Sequence, residues 1–104
     1  MNKVSRYKIW LRAVCKEYNL TQKELMDPKP GPYSIVNCAR HTFYWLCFRD
    51  RIDLYRLSEH LGKHRTTVIS SMKKNDLSNK DIGNKIWTNV KTRETEAGLY
   101  SSNQ

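Results

Sequence analysis

The residues best suited to chemistry lie in one stretch, GKHRTTVISSMKK, from Gly62 to Lys74. Arginine carries a planar fork of donors that fits the O6 and N7 acceptors of guanine, and a threonine methyl can touch a thymine methyl. Lysine suits phosphate oxygens as a point charge. His64, Arg65, Thr66 and Thr67 at the head of a helix therefore form a candidate base-reading end, with Arg65, Thr66 and Thr67 as the readers. Lys73 and Lys74 further along, and Lys63 in the turn before, are candidate phosphate holders; Ser71 adds a hydroxyl. No Asp or Glu falls between Lys63 and Lys74, so nothing in the stretch repels a polyanion. This is chemistry of recognition rather than of bond making.

Other constellations are weaker. Cys38, His41 and Cys47, or His60 and His64 at i, i+4, offer fragments of a zinc site, but no set of four has the paired spacing such sites use. Nucleophilic catalysis needs a Ser or Cys beside a His and an orienting acid, and no local arrangement supplies it. Gly62-Lys63 is not a phosphate-binding loop, because no glycine sits five residues earlier and no Ser or Thr follows directly. The expectation is no enzyme, no metal and no cofactor.

The surrounding chain has 104 residues, room for one small domain with one core. Lys and Arg number 19 against 10 Asp and Glu, a formal net charge of +9. That balance favours a polyanionic partner: nucleic acid first, an acidic membrane or protein second. No stretch approaches a membrane span, and the charged N-terminus lacks a signal-peptide apolar core. The cysteines, Cys15, Cys38 and Cys47, are odd in number and irregularly spaced, and they sit among apolar helix residues as small hydrophobes. The expectation is a cytoplasmic, nucleoid-associated protein with no membrane contact.

Helical periodicity organises the rest. Tyr7, Leu11, Val14 and Tyr18 share a face over about residues 3–18, with Lys3, Arg6, Lys8, Arg12 and Lys16 on the other. Thr21 and Glu24 form a capping box that opens a short helix burying Leu25 and Met26. The prolines and glycine of DPKPGP, Asp27 to Pro32, break the chain. Ser34 can then cap a helix over about 35–50, with Ile35, Cys38, Ala39, Thr42, Phe43, Trp45 and Leu46 apolar. Asp53 caps the next, where Leu54, Leu57 and Leu61 face inward. Gly62 stands where a left-handed C-terminal glycine belongs. A helix over about 65–74 follows, with Val68 and Met72 inward. Ser78 and Asp81 suggest a cap for a last helix marked by Ile82, Ile86 and Val90. From Thr92 the chain is polar and aperiodic, so 92–104 reads as a fraying tail after a single domain over 1–91. No run alternates as a strand would. The fold class expected is all-α with six helices.

Two helices joined by a short glycine turn match the helix-turn-helix plan, whose second helix enters the major groove. A family resemblance sharpens this. Tyr18 to Lys74 resembles the C-terminal DNA-binding domain of the bacterial replication initiator DnaA, a Trp-repressor-like helix-turn-helix. The matching residues are Gly62, Lys63, His64, Arg65, Thr66, Thr67, Val68, Ser70, Ser71, Lys73 and Lys74. KEYNLTQKELM and ARHTFYWLC match upstream segments. The resemblance implies double-stranded DNA as partner and backbone contacts from Arg40 and His41. It also implies a minor-groove arginine in the loop, where only Lys29 stands. Arg65 replaces the family's histidine and His64 its acidic residue, so a base preference other than the initiator's A·T-rich box is implied. The initiator's ATPase part has no counterpart in these residues, so no ATP-driven assembly is expected. The role implied is transcription regulation or replication-origin control, and the setting a phage or mobile element.

A second reading keeps the fold and changes the job. The basic face of the first helix, with Tyr44, Phe48 and Tyr55, would grip an acidic host protein as an interaction or inhibitor module. Monomer and homodimer both stay open, because Trp10, Trp87 and Tyr100 suit either a core or an interface.

Overall fold

The computed structural model describes residues 6–26, 35–78 and 80–102. It contains six helices: α1 (Tyr7–Tyr18), α2 (Gln22–Leu25), α3 (Ile35–Arg49), α4 (Leu54–Leu61), α5 (Arg65–Ser78) and α6 (Lys80–Ser102). The fold is all-α, as the periodicity predicts. The proline loop, Lys29 within it, and the expected Ser34 cap lie outside the described residues.

α3 is the centre of the molecule. Every residue from Thr42 to Cys47 is buried, which a helix achieves only when it is covered all round. α5 and α1 pack most extensively against it, and α6, α2 and α4 complete its surroundings. The core gathers Trp10, Val14, Leu25, Phe43, Leu46, Leu57 and Val68, all with no exposed surface, and Ile86 and Val90 of α6 close it.

Local chemistry sets most helix ends. α1 stops at Asn19, which adopts φ 56°, while the Leu20 N–H reaches back to the Cys15 carbonyl at 2.9 Å. Asn tolerates that left-handed geometry better than most side chains. At α2 the capping box is reciprocal: Glu24 N–H donates to Thr21 Oγ1 at 3.0 Å, and Thr21 N–H to Glu24 Oε1 at 2.9 Å. α3 ends on Arg51 at φ 62°, with the Ile52 N–H on the Cys47 carbonyl at 3.0 Å. This is a glycine-type terminus occupied by a residue with a Cβ, which costs about 1 kcal/mol. Asp53 caps α4 by accepting from Tyr55 N–H at 2.9 Å.

Two boundaries differ from the sequence expectation. α5 continues one turn past Lys74, so Ser78 ends that helix rather than capping the next; Asp81 lies in the first turn of α6. α6 runs on to Ser102, through the segment expected to fray from Thr92. Polarity alone does not end a helix: Lys91, Arg93, Glu94 and Glu96 are all good helix formers. The Arg6 guanidinium also ties Glu94 down at 2.9 Å.

Asp50, just past α3, locks three elements together. Its Oδ2 accepts from Arg6 Nε at 2.7 Å and from Trp10 Nε1 at 2.9 Å, and its Oδ1 from Lys91 Nζ at 3.3 Å. Trp10 stacks on Trp87 of α6 with ring centres 5.1 Å apart and planes within 3°. Arg49 lies over the same Trp87 ring at 4.4 Å and donates to Asn84 Oδ1 at 2.6 Å.

Candidate nucleic-acid interface

The turn between α4 and α5 is built by backbone chemistry. Gly62 takes φ 68°, its N–H meets the Glu59 carbonyl at 3.2 Å, and the Lys63 N–H meets the Ser58 carbonyl at 2.8 Å. This doubly bonded left-handed terminus is the one glycine favours. It turns the chain straight into α5, and the His64 ring helps to start that helix: its Nδ1 accepts from the Thr66 N–H at 3.2 Å. Val68, fully buried, pins α5 to the core, with Ile69 and Met72 half-buried beside it.

The opposite side of α5 faces outward. Arg65, Thr66, Thr67, Ser70, Lys73 and Lys74 are all exposed. Three hydroxyls and three cations thus share one helix surface without a carboxylate among them. Arg65 leans towards α4, where its guanidinium carbon sits 5.5 Å from the centre of the exposed Tyr55 ring. Tyr55, Arg65, Thr66, Ile69, Ser70 and Lys73 line a shallow cleft along this edge.

The expected residues divide on the structure. Arg65, Thr66, Thr67, Lys73 and Lys74 come together on α5, with His64 exposed and Lys63 half-buried in the turn before it. His41 joins them from α3. It is half-buried, and burial pushes its imidazole below the ordinary value, with the charge of Lys74 pushing the same way. Ser71 is half-buried rather than outward. Arg40 is turned elsewhere: it is half-buried, and its Nε donates to the Leu25 carbonyl at 2.5 Å. There it satisfies the open end of α2, and its Nη2 is buried without a hydrogen-bond partner among the described residues. Lys29 lies outside them.

Sequence reasoning named Ser70 only as part of the family match and Tyr55 only as a protein-binding aromatic, and assigned neither to the DNA-facing surface. The signal for Ser70 was present: Ser71 lies three residues after the inward Val68 and so shares its side, while Ser70 falls opposite. Tyr55 carries no such signal, because its place beside Arg65 depends on the angle between two helices.

The remaining candidates resolve simply. Cys15 and Cys47 are buried, and burial pushes both thiols up. Among the described residues no three His, Cys, Asp or Glu side chains gather as a metal would require. None of those residues forms a helix long and apolar enough to cross a membrane. Of the aromatics invoked for a protein-binding role, Phe48 and Tyr55 are exposed but Tyr44 is buried in the core. No family model matches the chain, and no curated protein or solved structure does either.

Proposed function

We propose that this chain is a non-catalytic, sequence-specific double-stranded DNA-binding protein whose recognition helix is α5. The observation that carries the reading is the outward face of α5: Arg65, Thr66, Thr67, Ser70, Lys73 and Lys74, acid-free and presented by a glycine turn. Arg65 is the reader for guanine, and Thr66 and Thr67 supply methyls and hydroxyls to neighbouring bases. Lys63, Lys73, Lys74 and His41 hold phosphates, which fix register without reading sequence. Arg40 supports α2 instead. The kinship proposed is with the DNA-binding domain of DnaA, and the role is control of transcription or of a replication origin in the nucleoid.

The test is selection from random duplexes, followed by fluorescence anisotropy of the selected duplex against a scrambled one. A specific binder should prefer its site by ~10³-fold or more. Arg65→Ala with Thr66→Ala should remove about 1–3 kcal/mol of discrimination at particular base pairs. Equal, weak binding to both duplexes would sink the proposal. The protein-binding alternative has less support, since Tyr44 is unavailable to a partner.

A further inference from the structure

A second cationic surface lies on α1. Lys8, Arg12 and Lys16 are spaced i, i+4, i+8 and all are exposed. Their backbone positions climb about 6 Å per step. None of the three forms an ion pair among the described residues, in contrast to Arg6 on the same helix. Lys16 of this row also lines a groove between α1 and α6 of about 330 Å³, where Lys85 and Arg93 stand opposite. The one carboxylate lining it, Glu17, is held by Lys85 at 2.9 Å.

α1 and α5 both pack on α3, from different directions. On the central helix, Thr42 and Phe43 meet α1, through the Tyr18 hydroxyl at 2.9 Å and the Tyr7 ring at 6.5 Å. His41 is the residue that feels Lys74 of α5. These two directions are about 150° apart around α3. On α1, Arg12 and Lys16 are turned away from the buried Trp10 and Val14, and Lys8 falls on the flank beside Cys15. The two positive faces therefore belong to helices that meet α3 on different sides.

We propose that the α1 face binds the phosphate backbone of a second DNA segment, so that one molecule bridges two duplexes. This rests on the reading of α5 as the first DNA contact. A phosphate backbone needs only a row of cations. A protein partner would need an apolar centre, and lysine is depleted from such interfaces. Ile9, 37% exposed, is the one large exposed hydrophobic on this face of α1, so nucleic acid is the better match.

Bridging is read with a selected duplex on beads, saturated with protein, washed, then offered a second duplex of unrelated sequence carrying a fluorophore. The wild-type protein should retain the second duplex, and retention should fall steeply with salt. Lys8→Glu/Arg12→Glu/Lys16→Glu should hold the first duplex like wild type and retain about tenfold less of the second, as expected for losing three phosphate contacts. The triple alanine variant, with an unchanged thermal midpoint, should show the same loss in weaker form. A held first duplex with no second sinks this proposal alone. Bridging that survives both variants, as a dimer of recognition helices would allow, also overturns it. Failure to prefer the selected duplex over a scrambled one sinks the α5 reading, and this one with it.

Discussion

Asp50 joins α1, the end of α3 and α6 through one carboxylate. Burial by itself pushes its pKa up, but hydrogen bonds from Arg6 and Trp10 and the charges of Arg6 and Lys91 outweigh this and hold it below the usual range. A depressed carboxylate stabilises the fold fully above the unfolded value, and that stability drains as pH falls through the folded one. Chemical denaturation should therefore show a loss beginning near pH ~4, where an unfolded aspartate protonates. Asp50→Asn should weaken the acid dependence and cost about 1–2 kcal/mol at neutral pH, the order expected when charge-assisted hydrogen bonds at a part-buried carboxylate are lost. Arg51 is a smaller liability. At φ 62° its Cβ opposes the backbone, so Arg51→Gly should raise stability by about 1 kcal/mol in the same measurement. Neither residue stands out in the sequence. The partners of Asp50 lie about forty positions away along the chain, and no periodicity encodes such a meeting.

At the scale of elements, what was legible was local. The Thr21–Glu24 box, the Asp53 cap and the Gly62 terminus each complete themselves within a few residues, so residue type alone announces them. The end of α6 was not legible, because a solvated helix and a polar tail share a composition and only the long-range grip of Arg6 on Glu94 separates them. The meeting of α3 and α5 was not legible in the periodicity, and the family resemblance implied only that Arg40 and His41 contact the DNA backbone. That meeting has a consequence for pH. Burial, and then the charge of Lys74, push His41 below the ordinary imidazole value, and a phosphate arriving there would raise its pKa. Binding would then take up a proton, so duplex affinity should climb as pH falls through the titration of the phosphate-bound imidazole. Anisotropy titrations at several pH values check this, and His41→Gln should flatten the trend. An affinity that does not change with pH would remove His41 from the contact surface.

For the whole molecule, the surplus of positive charge suits the proposed polyanionic partner but does not give the geometry of the contact. The sequence supplies +9 without saying that the cations separate into an α5 face and an α1 face on different sides of a buried helix. That division depends on α3 being covered all round, a tertiary fact. It predicts two classes of salt dependence. Each phosphate neutralised adds about 0.9 to the slope of log affinity against log salt. Loss of Lys73 and Lys74 to alanine should therefore flatten single-duplex binding by about 2 in that slope. Loss of Lys8 and Arg12 should leave it unchanged. Isothermal titrations in graded salt separate the two.

The Trp10–Trp87 stack has an optical consequence. Two nearly parallel indoles 5.1 Å apart couple their electronic transitions, and an in-plane rotation between the rings turns that coupling into a circular-dichroism couplet that isolated indoles lack. One ring belongs to the innermost core and the other rides on α6, so the couplet exists only while that helix is seated. Helix content would change little if α6 swung away intact, but the couplet would vanish. The chain thus carries a label-free gauge of α6 docking, able to report whether a bound duplex leaves that helix in place.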